Sequence, residues 1–134
     1  MTDLFTYQIQ TDEKQDFIFL DDYIQDALEK SAVKNGILVV YSPHTTAGIT
    51  INENADPDVR RDLKLGLNKA FPNDPNYVHF EGNSDGHMKS SLIGASETLI
   101  IHEGELILGT WQSIYFGEFD GPRTRTVYIK IIEG

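Results

Sequence analysis

The chain has 134 residues, carries 21 acidic against 11 basic side chains for a net charge of −10, and contains no cysteine. That length suits one domain over residues 1–134, able to bury a core without a disulfide or structural metal. The missing cysteine excludes thiolate metal sites, a cysteine nucleophile and a disulfide framework, and the acidic excess argues against a nucleic-acid partner. No apolar run approaches the roughly 20 residues of a bilayer span. No basic segment followed by an apolar core stands in Met1 to Gln10, so no signal peptide is expected and the expectation is a cytoplasmic protein with no membrane partner.

In chain order, Phe5, Tyr7 and Ile9 alternate with polar residues and predict a half-buried strand. Phe17–Leu20 follows a polar turn as its hairpin partner. Asp21 or Asp22 can cap a helix whose apolar positions are Ile24, Ala27 and Leu28, with Asn35–Gly36 as its stop. Gly36–Tyr41 is wholly apolar, as a central strand requires. After Ser42-Pro43-His44, residues Ala47, Ile49 and Ile51 share one strand face, and Thr46, Thr50 and Asn52 the other. Asp56-Pro57 pairs an N-cap acid with proline at the first helical position, and Val59, Leu63, Leu67 and Ala70 form the expected buried stripe up to Pro72.

Residues 73–90, rich in Asn, Asp and Gly, read as a loop. Thr98–Ile101, Leu106–Phe116 (Gly109 as a bulge) and Thr124–Ile132 complete the strands. The class is α+β: a mostly antiparallel β-sandwich with two substantial helices. The acids crowd at the N-terminus, where Asp3, Asp12, Glu13, Asp16, Asp21, Asp22, Asp26 and Glu29 face only Lys14 and Lys30. They read as a solvated face, which leaves room for a basic pocket elsewhere.

Three blocks hold residues with chemistry. His44 follows a buried strand and Asn52-Glu53-Asn54 ends the next. Eight residues of extended chain span about 26 Å, so His44 and Asn52 cannot share one small ion along a regular strand. Glu53 can equally cap the helix near Asp56. His79 and His87 flank a loop with two glycines that can bring the imidazoles together; imidazole and carboxylate are ordinary divalent-metal ligands. Lys89, with Ser90 and Ser91 at an expected helix start, suits a phosphate. Trp111 can stack on a flat ligand or fill core. Arg123 and Arg125 fall on one strand face as an anion clamp, unless Glu118 and Asp120 pair with them. No phosphate-binding Gly-x-x-x-x-Gly-Lys, Gly-x-Ser-x-Gly or His-Glu-x-x-His motif is present.

The strings His44-Thr45-Thr46-Ala47-Gly48, Ile51-Asn52-Glu53-Asn54-Ala55-Asp56-Pro57-Asp58-Val59, His87-Met88-Lys89-Ser90-Ser91-Leu92-Ile93-Gly94 and Leu108-Gly109-Thr110-Trp111-Gln112, followed by Gly121-Pro122-Arg123-Thr124-Arg125, resemble the YjbQ family. That family is also called secondary thiamine-phosphate synthase. The likeness runs in order from about Gly36 to the C-terminus. It implies a β-sandwich-like domain assembled as a homotrimer, with a polar pocket between subunits where histidines gather and a metal or anion binds.

The activity it implies joins a pyrimidine diphosphate to a thiazole phosphate and expels diphosphate, so the partner is a small phosphorylated substrate. On this resemblance His44, Glu53, His87 and Arg123 are the catalytic candidates. Asn52, Lys89, Ser90, Trp111, Gln112 and Arg125 are the substrate-binding candidates. His44, His79 and His87 are the ligands of a divalent ion, zinc or magnesium. Asn83-Ser84-Asp85-Gly86 departs from the family's commoner, more acidic loop, which leaves Asp85 out of the ligand set.

Overall fold

The fold was obtained as a computed structural model that describes residues 4–134. Asp3 of the acidic stretch and the first residues of the segment read as no signal peptide lie outside the described residues. The elements are β1 (Leu4–Gln10), β2 (Asp16–Phe19), α1 (Asp21–Ser31), β3 (Gly36–Tyr41), β4 (Ala47–Glu53), α2 (Pro57–Ala70), α3 (Ser84–Ile93), β5 (Ser96–His102), β6 (Glu105–Leu106), β7 (Gln112–Glu118) and β8 (Thr124–Glu133). All pairings are antiparallel, in a five-stranded sheet β1-β8-β3-β5-β6 and a three-stranded sheet β2-β7-β4. The α+β class and the two sheets agree with the sequence.

Both sheets and α1 share one core. Leu38, Val40, Val127 and Ile129 come from the larger sheet, Ala47, Ile49, Ile114 and Phe116 from the smaller, and Ile24, Ala27 and Leu28 from α1. A second cluster of Phe17, Tyr115 and Phe119 is covered by Leu63 and Leu67 of α2 and by Ile93. No helix is long and apolar enough to cross a membrane among the described residues.

Several boundaries differ from the sequence reading. Phe17 and its neighbours do not form a hairpin with β1; β2 pairs with β7 in the other sheet. Asp21 does not cap α1: its carboxylate accepts from the Ile114 N–H at 3.4 Å, and Leu20 is the N-cap. The helix stops at Ser31 with Ala32 in the left-handed conformation, and Gly36 instead opens β3, where a Cβ would lie 2.1 Å from the Ile132 carbonyl oxygen. Leu106–Phe116 is two strands separated by an irregular stretch around Gly109.

No residue of α2 is fully buried, and Ala70 is exposed. That helix covers only the small outer cluster, so its stripe is half used. The largest departure is a third helix. α3 begins at Ser84, inside the stretch read as loop, and it buries Asp85, Gly86, Lys89 and Ser90 rather than an apolar stripe. Periodicity of apolar residues had nothing to register there.

Candidate functional site

The site grows from the place where β3 gives out. β3 pairs with β8 up to Tyr41 opposite Tyr128, and continuing that register would set Pro43 opposite Thr126. Proline has no N–H to offer, and the chain turns away. The imidazole of His44 takes the vacant ladder position: the Thr126 N–H donates to Nε2 at 2.9 Å, and the Thr126 carbonyl oxygen lies 3.1 Å from the same nitrogen. Either tautomer of the ring therefore finds a backbone partner at Nε2. Burial, reinforced by the Arg125 charge, holds the His44 pKa below its ordinary value, so the ring is neutral at pH 7.

A few residues away lies a fully buried ion pair. Glu118 Oε1 accepts from Arg125 Nε at 2.8 Å and from the Thr11 hydroxyl at 2.8 Å; Oε2 accepts from Arg125 Nη2 and from the Asp120 N–H at 3.0 Å. Arg125 Nη2 also donates to the Thr46 hydroxyl at 2.9 Å. Burial pushes the Glu118 carboxyl up, but these donors together hold it below the ordinary carboxylate range. The pair ties β7 and β8 to Thr11, just after β1, and to Thr46, just before β4, at one corner. It also answers the question left open by the sequence: Arg125 is neutralised by Glu118, and Arg123 Nη2 bonds Asp120 Oδ2 at 3.1 Å.

These groups line a polar cavity of about 280 Å³. Its lining includes His44 and Thr46 before β4, Glu81, Asn83 and His87 before and on α3, and Asp120, Arg123 and Arg125 at the β7–β8 turn and the start of β8. Asn83 Nδ2 donates to Asp120 Oδ2 at 2.7 Å and fastens α3 to the β7–β8 turn. Arg125 Nη1 makes no hydrogen bond among the described residues. His87 also lines a second, larger groove of about 550 Å³ with Phe71, His79, Met88 and Leu92. An arginine-bearing polar pocket and an apolar groove thus share one imidazole.

The remaining sequence candidates sit elsewhere. Lys89 faces away from this pocket: its ammonium donates to Asn68 Oδ1 at 2.6 Å and Gln15 Oε1 at 3.2 Å, and burial lowers its pKa against the opposing charge of Asp85. Ser90 donates to the Ala47 carbonyl at 2.8 Å. Both lie toward the C-terminal end of α3, so the phosphate cradle expected from a helix start at Ser90 is absent. Asp85 is buried, 3.6 Å from Lys14 Nζ.

Asn52, Glu53, Trp111 and Gln112 gather at the far end of the small sheet. Glu53 pairs with Gln112 while Ala47 pairs with Glu118, so the two groups stand a strand length of about 20 Å apart. Glu53 accepts from the Asp56 N–H at 3.2 Å and so braces the N-cap residue of α2 without being the cap itself, and Gln112 Oε1 accepts from the Gly109 N–H at 2.8 Å. Trp111 is 61% exposed and fills no core. Sequence reasoning passed over Asn83 as a pocket residue and treated Asp120 only as a competitor for arginine. The Asp120-Gly121-Pro122-Arg123 turn was the available signal for Asp120.

The expected ligand set for a divalent ion, His44, His79 and His87, is not brought together. His79 and His87 stand edge to face with ring centroids 5.1 Å apart, but His44 has its Nε2 held against the Thr126 backbone. Among the described residues no three His, Asp or Glu side chains converge. One chain therefore supplies a pair of imidazoles, short of the three or four protein ligands that zinc usually takes.

Residues 5–134 match the family described as "UPF0047 protein YjbQ-like". The chain belongs to the YjbQ/UPF0047 family. It is 55% identical over 129 residues to the UPF0047 protein MJ1081 of Methanocaldococcus jannaschii, covering 96% of this chain and 94% of that protein. It is 49% identical over 128 residues to the UPF0047 protein YugU of Bacillus subtilis, with 95% and 97% covered. The crystal structure of an uncharacterised YjbQ/UPF0047 protein from Clostridium acetobutylicum superposes with a TM-score of 0.94 at 53% identity, over 96% of this chain and 99% of that one. At 31% identity, the hypothetical protein APE1520 of Aeropyrum pernix still gives 0.93 over 98% of both chains. The YjbQ-like architecture described above is thus shared across bacteria and archaea.

Proposed function

We propose that the polar pocket binds the phosphate of a small phosphorylated substrate, and that the protein is a cytoplasmic enzyme of thiamine-phosphate synthase type. The observation that carries this reading is the shared wall at His87. A cavity bearing Arg123 and Arg125 adjoins a groove lined by Phe71, Met88 and Leu92, a division that suits a phosphate at one end and an apolar ring at the other. In the reaction the thiazole nitrogen attacks the methylene carbon of the pyrimidine diphosphate. The C–O bond breaks, and diphosphate departs with the electron pair.

Arg123 and the free Nη1 of Arg125 would bind the departing charge, and the neutral His44 would donate or accept a proton at Nδ1. A divalent ion, zinc or magnesium, would add charge neutralisation when bound. His79 and His87 would hold it, and a neighbouring copy would complete the set. In a homotrimer a second copy would also bring Asn52, Glu53, Trp111 and Gln112 toward the pocket from their own far end. Mixing the protein with the two thiamine precursors should give thiamine phosphate, and Arg123→Gln and His87→Ala should each slow turnover about tenfold or more. No product from the wild type would discard the synthase reading.

A second reading is favoured by the charge pairing. Glu118 and Asp120 already match both arginines, and the pocket is small, so one phosphate fits better than a diphosphate. A metal-dependent enzyme acting on another phosphorylated compound, or a trimeric binder without turnover, follows if the synthase assay is silent while phosphate still binds.

A further inference from the structure

Two carboxylates line this pocket, Glu81 and Asp120, and an anion needs neither; Asp120 is the one bonded to Arg123. Its Oδ2 is occupied twice, by Asn83 Nδ2 at 2.7 Å and Arg123 Nη2 at 3.1 Å, and its own N–H is fixed to Glu118. Its Oδ1 receives no hydrogen bond among the described residues. The side chain is only 17% exposed, and the residue lines the cavity beside both arginines. A carboxylate oxygen in that position repels a bare anion and accepts from any donor the anion carries. Its partner Arg123 is half exposed, so an incoming anion can share that guanidinium without breaking a buried pair.

We propose that Asp120 selects the ligand: the pocket takes an anion that brings its own hydrogen-bond donor, such as a protonated phosphate or a phosphate with an adjacent hydroxyl or amino group. Oδ1 accepts that hydrogen while Arg123 and Arg125 Nη1 hold the negative oxygens. Tetrahedral anions with no hydrogen are disfavoured because they place a lone pair against Oδ1. This rests on the reading of the cavity as a phosphate pocket and adds the chemistry by which it discriminates. Sites that hydrogen-bond a ligand hydrogen reject isosteres lacking it far more strongly than apolar sites reject a missing methylene.

Inorganic phosphate and sulfate test it, because at pH 7 phosphate keeps at least one hydrogen and sulfate has none. Calorimetric titration of the intact protein should show phosphate binding at least about tenfold tighter than sulfate, a ratio worth about 1.4 kcal/mol. Asp120→Asn keeps the acceptor for Asn83 and removes the charge; it should bind sulfate more tightly than wild type and bring the ratio close to one. Asp120→Ser, which lacks the amide, should reduce the ratio as well. Arg123→Gln should weaken both anions alike. Equal affinities in the wild type, or a ratio unchanged in both Asp120 variants, would overturn the selection by Asp120 while leaving the phosphate pocket standing. No binding of either anion to wild type or Asp120→Asn would overturn both.

Discussion

Arg123 and Arg125 stand two residues apart and do different work, because one lies outside the barrier of the core and the other within it. Arg125 and Glu118 are 3% and 0% exposed, so removing either leaves a buried charge without its partner. Arg125→Gln should lower stability by about 3 kcal/mol in urea unfolding. Arg123→Gln should leave the midpoint nearly unchanged and weaken inorganic phosphate binding about tenfold, since its side chain is half exposed. Equal destabilisation by the two would refute the division of labour.

His44 adds a pH dependence of defined sign. Its folded pKa lies below the ordinary 6.5, so the unfolded chain binds the proton first as pH falls. Stability contributed by the neutral ring is fully present above about 6.5 and is lost as pH drops from there toward the folded value. Urea midpoints should therefore fall between pH 7 and pH 5, with a shallower fall in His44→Gln. A fall of the same steepness in the variant would place the dependence elsewhere.

At the scale of elements, the β-framework was legible and α3 was not. β3 announced itself as a continuous apolar run, and Asp56-Pro57 marks the start of α2, where the Asp56 carboxylate accepts from the Asp58 N–H at 2.9 Å. In α3 the buried positions are Asp85, Gly86, Lys89 and Ser90, and the three with polar side chains find their partners Lys14, Gln15, Asn68 and Ala47 far along the chain. No local pattern encodes such a helix, because tertiary hydrogen bonds hold its inner face.

The candidate site was legible by residue type, in His44, His87, Arg123 and Arg125, but not by grouping. Lys89 was drawn to phosphate by its charge, yet that charge is spent inside the fold. Lys89→Met should lose about 2 kcal/mol of stability through its abandoned acceptors and leave phosphate affinity unchanged; weakened phosphate binding would return Lys89 to the site. The β7–β8 turn depends on glycine, since a Cβ at Gly121 would meet the Glu13 carbonyl oxygen at 2.2 Å. Gly121→Ala should cost about 2 kcal/mol and weaken phosphate binding with it, because Asp120 and Arg123 flank the turn.

For the whole molecule, net charge says little about the ligand: the segment holding Asp12 and Glu13 packs against the arginine-bearing turn, where the Thr11 N–H donates to the Arg123 carbonyl at 2.9 Å, and Arg123 and Arg125 are each already paired with an acid of their own. Exposed apolar groups are more informative: Val78 and Phe80 are 98% and 99% exposed, on either side of His79 in the chain, and Leu92 lines the same groove as His79. Patches of this kind mark association surfaces. The proposed homotrimer should sediment at three times the chain mass of 15.1 kDa, and Val78→Asp with Phe80→Asp should release monomer.

The proposed phosphate site lies at the corner where β4 begins and β7 ends, not at the Trp111 end of the same strands. The direct measurement is an amide chemical-shift titration with inorganic phosphate. Shifts should concentrate in residues 43–46, 83–88 and 119–126. Shifts confined to residues 52–54 and 109–113, or none up to tens of millimolar phosphate, a range in which weak anion sites with millimolar Kd saturate, would contradict it.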